Sequence, residues 1–286
     1  MLRLLESFSF VISLAIVAGV LIGGFPAYGN EIATLALIIA MTLSISNIPF
    51  KVEAKEIKHV FVAFLLNYGL LSAFIISLGY LMHDYFEGFI VMAAAPPAIA
   101  IVPLSSVLKG DRRHSLFSVI FLYIAAIFMM PLIIYFFLAK EVNSILLVKN
   151  VVLLILLPML LSRIIYGKIG ERRSRIITNF CFFFLVFSVI GKNRQFIFEE
   201  VSLLLFLSIA MASRTIGIGL IVKSIASKMG IEKSKIVNYT LFSSFKNEGL
   251  VMIIASSLFS YETALPAVIA LIFEMIWICC MESKII

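Results

Sequence analysis

Charged side chains are scarce in this chain of 286 residues: Asp, Glu, Lys and Arg make up 14% of it, against about 25% in water-soluble domains. That shortage excludes an ordinary soluble fold, because 62% of the residues are hydrophobic and a core of this length cannot bury so much apolar surface. Cysteine is rare as well. Cys181, Cys279 and Cys280 all fall in apolar runs, which excludes a disulfide framework and any CxxC or His/Cys metal spacing. The three histidines, His59, His83 and His114, lie apart at the ends of apolar runs. No HExxH, GxSxG or Walker sequence occurs, and no acidic metal-binding cluster or cofactor motif. An intramembrane enzyme would gather acids and histidines at one depth near an interface, so that class fits less well than a carrier.

What the chain has instead is apolar length. A bilayer core takes roughly 20 apolar residues per helix, and the charged loops cut the sequence into ten such stretches. They cover residues 7–24, 32–50, 60–82, 88–108, 114–138, 146–166, 176–191, 200–222, 236–260 and 263–281. The opening MLRLLESFSFVISLAIVAGVLIGGF is long enough to span and is followed by no small-residue cleavage site, so it reads as an uncleaved first span. Place the N-terminus in the cytoplasm, and of the 23 Lys and Arg only Lys140, Lys149, Lys192 and Arg194 fall in outer loops. Arg214 and Lys246 fall within spans, and the rest, Arg3, Lys51, Lys55 and Lys284 among them, lie inside. That asymmetry follows the positive-inside rule and accounts for the net charge of +7 without a nucleic-acid partner. The expectation is a multi-pass protein of the cell membrane with both termini cytoplasmic.

Ten spans divide into two fives, and because five is odd the halves enter the membrane in opposite orientations. Such an inverted repeat shows itself as interrupted helices at matching positions. Span four, GFIVMAAAPPAIAIVPLSSVLKGD, carries Pro96 and Pro97 near its centre; span nine carries KNEG, residues 246–249, near its own. Proline removes an amide donor and clashes with the preceding turn, so the Pro-Pro pair breaks span four, and the freed backbone groups must line a cavity or meet another polar segment.

Three stretches then carry a resemblance: LALIIAMTLSI at the end of span two, PPAIAIVPLSSVLKGDRRHSLFSVIFLYIAAIFMMPLIIY across spans four and five, and KNEGLVMIIASSLFSYETALPAVIALIFEMIW across spans nine and ten. In their order and spacing they resemble the bile acid:sodium symporter family. The resemblance implies an all-α membrane protein of ten transmembrane helices in two inverted repeats, with broken helices four and nine crossing. It also implies a panel domain from residues 1–50 and 140–195 (helices one, two, six and seven) and a core domain from residues 51–139 and 196–286. A small organic anion would bind beside the crossing and move by alternating access. The family's sodium pattern is not kept. Its Ser-Asn pair falls on Ile101 and Val102, its span-nine glutamate on Phe242 and its glutamine on Lys246, whereas Asn247, Gly249 and Leu250 match. Asn67 falls on a glutamine position of span three and Ser115 on a serine position of span five. An alkali or alkaline-earth cation needs a cage of oxygens, so the two-sodium mechanism is not expected, and a proton is the alternative coupling ion.

Four ionisable residues lie inside spans: Arg214, Lys246, Glu248 and Glu274. Their formal charges cancel, and intramembrane charges usually face the protein interior and pair. Lys246 is nearly equidistant from both ends of its span. Its ammonium is read as a stand-in for bound sodium that attracts an anion, with a proton carrier and a fixed Lys246 bridge to Glu248 or Glu274 as the competing readings. Arg214 either clamps a carboxylate bidentately or snorkels to the interface. The candidate substrate-binding set is Lys246, Asn247, Glu248, Pro96, Pro97, Asn67, Ser115, Ser105 and Arg214, with no metal and no cofactor. Ser243 and Ser244 offer hydroxyls near the second break, though serine in such helices often serves only its own backbone. A carrier of auxin-efflux type, proton-coupled or uncoupled, shares the crossed-helix plan and is the alternative within the class.

Overall fold

The computed structural model describes residues 6–46, 57–138 and 142–282; Arg3, Lys51, Lys55, Lys140 and Lys284 of the charge count lie outside the described residues. Within these, every regular element is a helix. In chain order they are α1 (Phe8–Ile22), α2 (Gly29–Ser46), α3 (Lys58–Leu81), α4 (Phe86–Ala94), α5 (Ile101–Val107), α6 (Arg112–Leu138), α7 (Ser144–Ile164), α8 (Glu171–Lys192), α9 (Ser202–Lys228), α10 (Lys233–Phe242), α11 (Glu248–Leu258) and α12 (Glu262–Glu282). A short helix at Arg194–Glu199 joins α8 to α9. Seven of these helices, α2, α3, α6, α7, α8, α9 and α12, are long and apolar enough to cross a bilayer, and α1 and α11 are shorter apolar helices. Large apolar side chains such as Leu21, Phe128, Phe136 and Ile145 point outward, as a chain solvated by lipid requires. The protein is an all-α, multi-pass membrane protein.

The fourth and ninth expected spans are each interrupted. α4 stops at Ala94 because Ala95 is extended (φ −68°, ψ 149°), the conformation that a following proline imposes. α5 resumes only at Ile101. α10 ends at Phe242, and α11 begins at Glu248 after Asn247. By contrast, Pro131 sits inside α6 without ending it: a lone proline costs one hydrogen bond, which neighbouring helices tolerate. Three spans also contain a π-helical stretch, Leu65–Leu71 in α3, Val152–Leu156 in α7 and Ser213–Gly217 in α9.

Two sets of helices pack among themselves. α8 lies along α1 and α2, and α7 packs on α2. α8 comes so close to the α1–α2 connection that a Cβ on Gly191 would overlap the Gly24 backbone, the small-residue contact that lets membrane helices approach without a hydrophobic drive. In the other set α4 packs on α3, α6 and α11, and α9 packs on α10 and α12. The sets touch where α11 meets α2, α7 and α8, where α12 meets α8 and where α6 meets α7.

Candidate functional site

The two interruptions meet. The Asn247 amide donates to the Pro96 carbonyl at 2.8 Å, so an acceptor freed by the first break satisfies a donor freed by the second. The Asn247 side chain then starts α11, its Oδ1 accepting from the Leu250 amide at 3.1 Å as an N-cap. Its Nδ2 donates to the Tyr123 hydroxyl at 2.7 Å and lies 3.2 Å from Met41 Sδ. Gly249 follows because there is no room for more: a Cβ there would sit 2.9 Å from the Phe182 ring on α8 and 3.3 Å from Leu37 on α2.

Lys246 is fully buried, and its Nζ is surrounded by oxygen. Asn67 Oδ1, Ser72 Oγ and the Ala93 carbonyl lie at 3.0 Å, and the Ala95 carbonyl at 2.8 Å; the Tyr68 ring centroid lies at 4.6 Å. Asn67 is oriented by its own amide, whose Nδ2 donates to the carbonyls of Phe242 at 2.9 Å and Phe245 at 3.1 Å. Three of the four oxygens can therefore only accept, and an ammonium has three N–H groups to give. Ser72 turns its hydroxyl to the Ala93 carbonyl at 2.6 Å and leaves its lone pairs to Lys246. Among the described residues no carboxylate stands within 4.0 Å of this Nζ. The bridge from Lys246 to Glu248 or Glu274 is thus replaced by neutral dipoles, because the broken end of α4 supplies carbonyls that no helix uses.

The carboxylates go to Arg214. This residue sits in the π-helical stretch of α9 and is fully buried, so it turns inward instead of snorkelling. Its Nη2 donates to Glu248 Oε1 and, at 2.9 Å, to Glu274 Oε1. Its Nη1 donates to the Ser244 carbonyl at 3.1 Å. Lys246 joins this cluster only through its backbone, whose N–H donates to Glu274 Oε1 at 3.1 Å.

Other candidates stand apart or idle. Pro96 and Pro97 are buried at the crossing. Ser105 donates instead to Asn238 Oδ1 at 3.0 Å, and Asn238 Nδ2 donates to the Asp111 carbonyl at 2.7 Å, a polar knot joining the end of α5 to α10. The Ser115 hydroxyl in α6 is buried with no partner among the described residues. Ser243 and Ser244 both donate to the Thr240 carbonyl, at 3.0 and 2.8 Å, and so serve their own helix. Sequence reasoning missed Ser72, Tyr68 and Tyr123. Ser72 could have been found: it lies five residues after Asn67, and in a π-helical turn positions i and i+5 are joined.

The sequence pattern of the sodium bile acid symporter family matches residues 32–200, more than half of the chain. The chain belongs to this family. Members of the sodium bile acid symporter family are transporters and not enzymes, in keeping with the expectation from its motifs. The match takes in the Pro96-Pro97 break and ends before the KNEG break. No curated protein matches the chain.

Proposed function

We propose that this family member is a secondary active transporter of a small organic anion, working by alternating access without the two-sodium coupling, and that the Lys246 ammonium is a built-in replacement for a bound cation. The observation that carries this reading is the set of four oxygens around Lys246 Nζ: an oxygen cage is what a hard cation requires, and here a side chain of the protein fills it. The anion is then drawn to the crossing by a fixed positive charge. Pro96, Pro97, Asn67, Asn247, Glu248 and Arg214 surround that point, with Ser105 and Ser115 farther along α5 and α6.

Ten crossings in two inverted halves fit the same geometry. The fourth span of each half is broken, and the third span of each carries a π-helical stretch that presents the polar side chain facing the breaks, Asn67 in one and Arg214 in the other. Helices α1, α2, α7 and α8 correspond to the panel of residues 1–50 and 140–195, the other helices to the core of residues 51–139 and 196–286, and both termini lie in the cytoplasm. Because Lys246 and Arg214 are fully buried, access requires the panel and core to move against each other, and the contact of α11 with α2, α7 and α8 lies on the surface between them.

Uptake of taurocholate and a panel of aliphatic and aromatic carboxylates into liposomes tests this, with sodium or choline as the external cation. The expected result is uptake that survives the change to choline in the wild type and is lost in Lys246→Gln. Strict sodium dependence would overturn the cation replacement, and undiminished uptake by Lys246→Gln would overturn the role given to Lys246.

A further inference from the structure

We propose that Glu248 and Glu274, bridged by Arg214, form a proton-binding site, and that its proton is the ion coupled to anion movement; the coupling half of this statement rests on the transport reading above. One nitrogen atom, Arg214 Nη2, holds both carboxyl groups, so the two are crowded around a single positive charge. The rest of the guanidinium does not relieve them, since Nη1 is spent on the Ser244 carbonyl and Nε is buried without a partner among the described residues. Lys246 spends its ammonium on neutral oxygens and gives this cluster a hydrogen bond only from its backbone N–H.

With both acids ionised the Arg214 cluster therefore carries one net negative charge out of contact with water. The charged groups facing Glu248 are Arg214 on α9, Glu274 on α12 and Lys246 in the break; those facing Glu274 are Arg214 and Glu248. The second carboxyl oxygen of Glu248 marks where a proton goes. Glu248 Oε2 is buried and has no hydrogen-bond partner among the described residues, a place where an uncompensated negative oxygen costs far more than a neutral hydroxyl. Both carboxyl groups are held against the one Arg214 nitrogen, a crowding that disfavours two simultaneous negative charges and favours a proton on one of them.

The step is a simple protonation. Water on one side gives a proton to Glu248 Oε2, an O–H bond forms, and the Arg214 cluster becomes neutral. The crossing then holds the uncompensated charge of Lys246 and accepts one anion, so proton and anion travel together with no net charge. Loss of the proton to water on the far side breaks the same O–H bond and restores the negative cluster, which expels the anion. Because the three acid and base groups come from α9, α11 and α12, protonation alters the tie between helices that must move together.

The site is tested without any substrate by infrared difference spectroscopy of the full chain in phosphatidylcholine–phosphatidylglycerol bilayers, recorded as pH is raised. The expected spectrum contains a high-frequency C=O band of a weakly hydrogen-bonded carboxyl that shifts on 13C-glutamate labelling and disappears with rising pH. It should be lost in Glu248→Gln and in Glu274→Gln, kept in Glu262→Gln, and recovered at a shifted frequency in Glu248→Asp. A wild-type spectrum without such a band at any pH overturns the site with no reliance on a variant, as does a band unchanged in both glutamine variants. Coupling is then read with whichever acid the liposome screen identifies. Uptake should accelerate with an acidic exterior, and uptake indifferent to the gradient overturns coupling while leaving the infrared result intact. If no acid moves at all, the transport reading fails, and the infrared bands still decide the proton site.

Discussion

Two cations are buried within one crossing, and they are held in opposite ways. Lys246 is surrounded by neutral oxygens, two of them carbonyls released where α4 unwinds, whereas Arg214 is bound by two carboxylates. The difference follows from the head groups. An ammonium is a compact charge with three donors, which the converging carbonyls of a broken helix can match one for one; a guanidinium presents a planar fork that suits carboxylate oxygens. It follows too from what each neighbourhood supplies, since Arg214 meets one carbonyl, that of Ser244, and the acids of α11 and α12. An unwound helix can therefore hold a cation without an anion, whereas the Arg214 side sets two acids against one guanidinium.

The sharpest way to break this comparison is to remove each cation in turn. Arg214→Gln strands two buried carboxylates and is expected to cost about 3–5 kcal/mol, the usual penalty for breaking a buried ion pair from one side. The thermal midpoint of the detergent-solubilised protein measures it, and a variant that melts with the wild type would mean that the acids are not held as charges. Lys246→Gln strands neutral acceptors only, so about 1–3 kcal/mol is expected. Its midpoint should also rise when sodium chloride replaces choline chloride, because an emptied oxygen cage accepts a small cation, while the wild-type midpoint stays put.

A smaller change probes the start of α11, between the two cations. Tyr123→Phe removes the hydroxyl that accepts from Asn247 Nδ2 at 2.7 Å, and the loss should be about 1 kcal/mol, the net worth of one such hydrogen bond. The shift in thermal midpoint should fall below that of Lys246→Gln; a larger one would place the Asn247–Tyr123 contact, and not the cations, at the centre of stability.

Much of the helical plan was legible because it rests on composition: apolar runs of spanning length must become helices in lipid, and Pro96-Pro97 cannot continue one. Lys246 was a candidate for the same reason, since a charge at mid-depth needs a partner, whereas Asn67 was one only through the family resemblance. Their partners were not legible. The Ala93 and Ala95 carbonyls belong to residues whose side chains carry no chemistry, and they matter only because a proline follows and frees them. Nor could the sequence choose between Lys246 and Arg214 as the mate of Glu248. Lys246 is two residues away, yet the cap at Asn247 starts a helix between them, and the two heads take different partners. Arg214 is far off in sequence, and the π-helical stretch that turns it inward has no proline or glycine signature of its own beyond Gly217.

An exposed pair gives the scale against which the buried ones are read. Arg172 on α8 and Glu6, just before α1, form an ion pair at 2.6 Å, shorter than the Arg214–Glu274 contact at 2.9 Å, yet the Arg172 side chain is 65% exposed. Water already solvates such a charge, and salt screens it, so distance alone does not set the energy. Glu6→Gln is accordingly expected to cost about 0–1 kcal/mol, with the difference from wild type vanishing at high ionic strength, whereas the cost of Arg214→Gln should hardly respond to salt because its partners are shielded from ions. Thermal midpoints at low and high potassium chloride separate the two cases. If the Glu6 variant proved as damaging as the Arg214 variant, burial would not be what distinguishes the crossing, and the contrast between its two cations would lose its physical basis.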